Sequence, residues 1–200
     1  DHRRQDDPRR RQSQRWIRDS NSTTGKVLGQ TYTLESRVAD SEADFMAAFD
    51  QLRASGIELF VVNAPAQTLK RMTAKAGENT LLFNAGSRAD ELRTIECNAN
   101  LLHTMPSYAM LTDALAQWLN QRRWNEIFMI TGPTDDDKGW ANAFRRSAKR
   151  FGLEVIEDKP WTFDADLRRT ASKELPLFTQ ASDYDAVVVA DVRGDWLLYK

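Results

Sequence analysis

Short runs of almost uninterrupted apolar residues recur along this chain, each followed by a turn and then by a segment with apolar residues at helical spacing. The clearest are Ile57 to Val62, Thr80 to Phe83, Glu126 to Ile130, Leu153 to Ile156 and Asp185 to Ala190. A strand with one face in water alternates apolar and polar residues, whereas one that is apolar throughout is covered on both faces, as in a parallel sheet flanked by helices. Thr31 to Val38, rich in β-branched and aromatic residues with partial alternation, reads as a further strand. The pattern predicts a doubly wound α/β protein.

Between these runs the helices carry their own signals. Arg9 to Asn21 reads as a polar helix with Trp16 and Ile17, ended by Thr23-Thr24-Gly25. Asp40-Ser41 caps a segment with Phe45, Ala48, Phe49 and Leu52 on one face, closed by Gly56, and Leu69, Met72 and Ala76 mark the next helix. Ser107 caps a helix predicted to turn Met110, Leu111, Leu115, Trp118 and Leu119 inward; Gly139 to Phe151 follows with Trp140, Phe144, Ala148 and Phe151 inward. A helix from Asp164 to Gln180 is expected to be interrupted near Pro176. The stretch Asn98 to Pro106 reads as irregular and separates two units with three strands each, residues 1–106 and 107–200. Each unit looks unfinished: the first opens on a helix, and the last strand is followed only by Asp191 to Lys200. A longer parent chain is therefore expected.

Composition removes several classes. The chain has 28 Lys plus Arg against 29 Asp plus Glu, so a nucleic-acid surface is not indicated, although residues 1–18 hold seven Arg and three Asp. That basic stretch interleaves its Arg with Asp and Gln and offers one aromatic, Trp16. One Cys and two His exclude an intrachain disulfide and leave a zinc site to rest mainly on carboxylates. No apolar run approaches the roughly 20 residues of a membrane-spanning helix. The charged start is not followed by an apolar segment, so no signal peptide is read there. There is no G-x-G-x-x-G after a strand and no G-x-S-x-G, and Gly25-Lys26 lacks the rest of a phosphate loop. Cys97 with His103 has no evident third group to orient it, and Asp135-Asp136-Asp137 is read as a solvated run capping the following helix.

In open α/β sheets, ligands bind beyond the carboxyl ends of the strands, where helix N-termini and loop N–H groups converge. That selects Ser36-Arg37, Asn63-Ala64-Pro65, Asn84-Ala85-Gly86-Ser87-Arg88, Gly132 to Trp140 and Asp191 to Trp196. The small residues at 84–87 let backbone approach a ligand, or simply make a strand-to-helix turn. Trp140 and Trp196, each just after a strand, could stack on both faces of a planar ligand or pack internally. Lys138, Arg193, Arg88 and Arg37 lie at the same loop ends, which suggests an acidic ligand.

The run Asn98-Ala99-Asn100-Leu101-Leu102-His103-Thr104-Met105-Pro106-Ser107, continuing from Ala109 to Gln117, resembles the first lobe crossover of type I periplasmic solute-binding proteins. More narrowly it is similar to the branch associated with pyrroloquinoline quinone (PQQ)-dependent alcohol dehydrogenase systems. Thr23 to Tyr32, Leu82 to Gly86 and Ala148 to Gly152 resemble that branch in the same order. The resemblance implies two lobes, each a doubly wound parallel sheet, with a ligand held between them by Asn63-Ala64, by Ala85-Gly86-Ser87 and by Lys138 to Trp140. Lys138 and Trp140 depart from the amino-acid binders of the family, in which an aromatic residue followed by Gly is common at this place.

The reading implied is a monomeric, periplasmic, non-enzymatic protein that closes its lobes about His103 to Ser107 on a small acidic planar solute, PQQ first, with no cofactor required and an ABC permease as possible partner. An amino acid or other small carboxylate is the alternative, and an enzyme on a doubly wound fold a more distant one. Asp191, Arg193 and Trp196 complete the expected cleft beside Trp140, Lys138, Arg88 and Arg37.

Overall fold

A computed structural model describes residues 15, 17–161, 179–180 and 183–194. The chain divides into two compact units, Asp1–Gly56 and Ile57–Lys200.

In the first unit, residues 17–20 are helical and lead into helical turns over Asn21–Gly25 and Lys26–Leu28. Helix α1, Glu42–Ala54, starts where Ser41 Oγ accepts the Asp44 N–H at 3.1 Å. The expected strand Thr31–Val38 is not formed: these residues have no regular structure and are exposed. Tyr32 is bonded instead to the Asn21 side chain, its N–H to Oδ1 at 2.7 Å and its carbonyl to Nδ2 at 2.9 Å. Glu35 and Arg37 pair with each other at 3.0 Å. Tyr32 and the two charges thus find their partners locally, and Leu34 and Val38 remain exposed.

The second unit holds two parallel sheets. One has the order β1-β2-β3, from Leu59–Val62, Leu81–Asn84 and Leu101–His103, with α2, Ala66–Lys75, crossing between the first two strands. The other has the order β5-β4-β6, with β4 at Glu126–Thr131, β5 at Glu154–Pro160 and β6 at Ala186–Ala190. Helices α3, Tyr108–Gln121, and α4, Asp135–Phe151, precede and follow β4. The sheets are joined through the crossover 104–107 between β3 and α3. This is an α/β fold of parallel sheets flanked by helices.

The apolar strand β4 shows why continuous apolar runs mean two covered faces. Ile127 and Met129 join a core with Ala116, Leu119, Ala141, Phe144 and Ala148 from α3 and α4, while Phe128 and Ile130 pack with Trp161 on the opposite side. All four strand residues are fully buried.

Several elements differ from expectation. Strand β3 lies inside the stretch read as irregular, because three residues between turns are too few to show periodicity. Helix α3 turns Tyr108, Thr112, Ala116 and Leu119 inward and leaves Met110, Leu111 and Trp118 exposed. The small Ala116, and the Thr112 hydroxyl bonded at 2.9 Å to Ser147, let α3 and α4 pack closely, which bulkier Met and Trp would prevent. Helix α4 begins at Asp135 rather than Gly139: Thr134 Oγ1 accepts the Asp137 N–H at 3.1 Å and the Asp137 carboxylate accepts the Thr134 N–H at 3.0 Å, a reciprocal cap. Trp16, most of the expected Asp164–Gln180 helix, and Trp196 lie outside the described residues.

Candidate functional site

The loops that leave β1, β2, β4 and β6 at their carboxyl ends enclose a cleft of about 780 Å³, within the range of roughly 300–1,000 Å³ usual for small-molecule sites. From the first sheet come Pro65, Ala66 and Gln67 at the start of α2, Lys70 one turn on, and Ala89, Asp90 and Glu91 after β2. From the second come Thr134, Asp135 and Asp136 at the start of α4, Gly139, Asn142 and Arg146 along it, and Arg193 after β6. Tyr108, first residue of α3, stands between.

Local chemistry holds each wall. Asn84 ends β2 fully buried; its Oδ1 accepts the N–H groups of Gly86 and Ser87 at 3.0 and 2.9 Å, and its Nδ2 donates to the Ser87 carbonyl at 2.7 Å. This side chain folds the 84–87 loop on itself. The loop also lies against the one after β1, where a Cβ on Gly86 would sit 2.5 Å from Asn63 Oδ1 and 2.6 Å from the Ala64 nitrogen, so a side chain there needs backbone to move. On the other wall, the buried Asp137 carboxylate accepts the Val192 N–H at 2.7 Å and the Thr134 hydroxyl at 2.5 Å, tying the start of α4 to the loop that carries Arg193.

The cleft is electrically mixed. Its four carboxylates, Asp90, Glu91, Asp135 and Asp136, stand among three cations, Lys70, Arg146 and Arg193. Arg146 pairs with Asp90, whose Oδ1 also accepts the Ala109 N–H at 2.9 Å. Lys70 lies 3.7 Å from Glu96 and 4.0 Å from Glu91. The Tyr108 hydroxyl donates to Asp136 Oδ1 at 3.0 Å. Burial, then the Asp136 charge, push the Tyr108 phenol well above its ordinary range, so it remains a donor at neutral pH.

The structure distributes the residues singled out from sequence. Arg193 lines the cleft. Asn84, Ala85, Gly86 and Ser87 build the loop behind it; the Ala85 N–H donates to the Val62 carbonyl at 2.8 Å. Ala64 is buried and Asn63 exposed. The Arg88 guanidinium donates to the Pro106 carbonyl at 3.3 Å, and the Arg88 carbonyl accepts the Tyr108 N–H at 2.9 Å. Lys138 is exposed, 3.7 Å from Asp135. Trp140 is half-buried against the core, stacked on Phe144 with ring centroids 5.6 Å apart and planes at 6°. Asp191 is half-buried and its carbonyl accepts the Gly194 N–H at 3.3 Å. Arg37 belongs to the first unit. Tyr108, Lys70, Asp90, Glu91, Asn142 and Arg146 are cleft residues that strand-end reasoning passes over. Tyr108 had a signal, its place directly after the Ser107 cap; Lys70, Asn142 and Arg146 sit about one, two and three turns into their helices, and Asp90 and Glu91 in the short turn that follows the 84–88 loop.

These parallel sheets, joined by a crossover and facing one cleft, form the fold of type I periplasmic binding proteins. A leucine-, isoleucine-, valine-, threonine- and alanine-binding protein from Brucella ovis, in its closed conformation, matches with TM-score 0.70 and 18% identity over 90% of this chain and 50% of its own. An ABC transporter substrate-binding protein from Desulfitobacterium hafniense, in complex with Leu, matches with TM-score 0.67 and 16% identity over 88% of this chain and 51% of its own. A solute-binding protein from R. palustris, in complex with benzoate, matches with TM-score 0.64 and 15% identity over 90% of this chain and 49% of its own. The chain thus spans about half the length of these proteins. No family model and no curated protein matches it.

Proposed function

We propose that this protein captures a small carboxylate, an amino acid first, in the cleft between its two sheets and delivers it to an ABC importer in the periplasm. The observation that carries the reading is the mixed charge of a cleft placed at the carboxyl ends of parallel strands on a fold shared with binders of leucine and benzoate. A zwitterion presents an ammonium and a carboxylate together. Asp136, oriented by Tyr108, suits the first, while Arg193 and the N–H groups opening α2 suit the second. Capture would proceed by hinge closure about the crossover 104–107.

PQQ, the finer reading that sequence resemblance suggests, is a tricarboxylate and meets a cleft with more carboxylates than cations, two of the cations already paired. Trp140, its anticipated platform, is stacked on Phe144. A small amino acid or monocarboxylate therefore has the better electrostatic match.

Thermal melts and calorimetric titration with leucine, benzoate and PQQ, each added separately, test this. A ligand present at 100 times its dissociation constant adds about 2.7 kcal/mol of stability. Leucine or benzoate is expected to raise the melting temperature. A shift with PQQ alone would restore the quinone reading, and no shift with any of the three would refute solute capture of this class.

A further inference from the structure

His103 ends β3 where the chain leaves the first sheet for the crossover, and its imidazole lies against the loop that builds one wall of the cleft. Its Nδ1 is 3.0 Å from Asn84 Nδ2. The Asn84 amide cannot be turned over, because Oδ1 already accepts two backbone N–H groups and Nδ2 donates to the Ser87 carbonyl. The second Nδ2 hydrogen therefore faces the ring, and Nδ1 must be an unprotonated acceptor. The Leu92 carbonyl acts on the ring as an acceptor and pulls the other way. Only the neutral imidazole fits.

The surroundings favour that neutral form. Strand β2 contributes the uncharged Asn84, and the 3₁₀ turn Asp90–Arg93 contributes Arg93, the charged group that acts on the ring, with the Leu92 carbonyl. Burial first, and the Arg93 charge second, hold His103 below its ordinary value against the opposing pull of that carbonyl. Arg93 donates to the Met105 carbonyl, and its Nη1 is buried without a partner among the described residues. A proton on His103 would set N–H against N–H at Asn84 and a second cation beside Arg93.

From this point bonds run to the cleft. The Thr104 N–H and hydroxyl donate to the Asn84 carbonyl at 3.1 and 2.9 Å, the Arg88 carbonyl holds the Tyr108 N–H, and the next residues, Ala89, Asp90 and Glu91, line the cleft. We propose that His103 is a positioning residue whose neutral form holds Asn84, and through it the 84–91 loop, in the geometry that binds solute, so that protonation loosens the loop and weakens binding. The effect on affinity rests on the solute-capture reading; the coupling of ring to loop rests on the geometry alone.

NMR of labelled protein between about pH 8 and 5 tests it. His2 and His103 are the two histidines, so the imidazole spectrum is simple. The His103 ring should carry its hydrogen on Nε2 at neutral pH, and the amide resonances of Gly86, Ser87 and Asp90 should move with the ring's own midpoint. In His103→Gln that movement should vanish. Leucine affinity should fall by up to about tenfold per pH unit below the midpoint in the wild type and stay level in the variant. Amides of Gly86 and Ser87 that stay fixed through the His103 titration overturn the proposal, and this wild-type result needs no variant to fold. Leucine bound with constant affinity through the midpoint overturns it as well. If leucine binds at no pH while the amides follow the ring, the coupling stands and the solute reading fails.

Discussion

Replacing Asp137 with Ala removes the carboxylate that joins the start of α4 to the loop after β6. One oxygen accepts the Thr134 N–H and hydroxyl, the other the Val192 N–H at 2.7 Å, and the side chain is 3% exposed. Hydrogen bonds to an ionised partner contribute about 1.5–3 kcal/mol each, and a buried N–H left alone costs about 1–3 kcal/mol. Thr134 is half-buried and regains water, so its share reduces to that of a helix cap, about 1 kcal/mol. Adding the Val192 bond gives a loss of about 3 kcal/mol for Asp137→Ala, a large part of the 5–15 kcal/mol typical of a folded domain. Thr134→Ala should lose about 1 kcal/mol, and the double variant less than the two singles together, because they share the cap. Urea unfolding followed by circular dichroism gives all three values. An Asp137→Ala midpoint within error of wild type would mean that the carboxylate does not join the two elements, and strict additivity with Thr134→Ala that the two residues share no cap.

Gly86→Ala should destabilise by about 1–3 kcal/mol, since the added methyl meets backbone at Ala64 that cannot swing aside; a melt at the wild-type temperature would show that the two loops do not press together. Phe144→Ala, at a fully buried ring, should lose about 3–5 kcal/mol, whereas Trp118→Ala, at a ring 44% exposed, should lose only about 1 kcal/mol; the reverse order in urea unfolding would restore the inward assignment of Trp118. His103, held below its ordinary value in the folded protein, contributes stability that is complete above about pH 6.5 and lost as pH falls through the lower folded midpoint. Unfolding free energies at a series of pH values should show that loss in the wild type and a smaller one in His103→Gln.

Sequence pattern finds most of the sheets because burial on both faces demands apolar residues at every position, as Ile127 to Ile130 show. It misses β3, whose three residues carry no period, and assigns a strand to Thr31–Val38, where Asn21 and a local Glu35–Arg37 pair satisfy the chain instead. Pattern also misorients α3, since hydrophobicity points to Met110 and Trp118 while close packing selects Thr112 and Ala116, small enough to meet α4. Within the site, the strand-end rule places Arg193 and the 84–88 loop, but the wall residues Lys70, Asn142 and Arg146 enter by helical turns whose direction depends on how the sheets face each other. Asn84 illustrates the limit best: its residue type suits a ligand contact or a turn, and only the four bonds of its amide show it holding the loop.

Whether solute enters the cleft between the sheets is decided by amide shift mapping during titration with leucine, then with benzoate. Shifts are predicted to concentrate on Ala66, Gln67, Ala89 to Glu91 and Thr134 to Gly139, with Tyr108 among them. Saturable shifts confined to other surfaces, or none at ligand concentrations that saturate carboxylate binders, would contradict it.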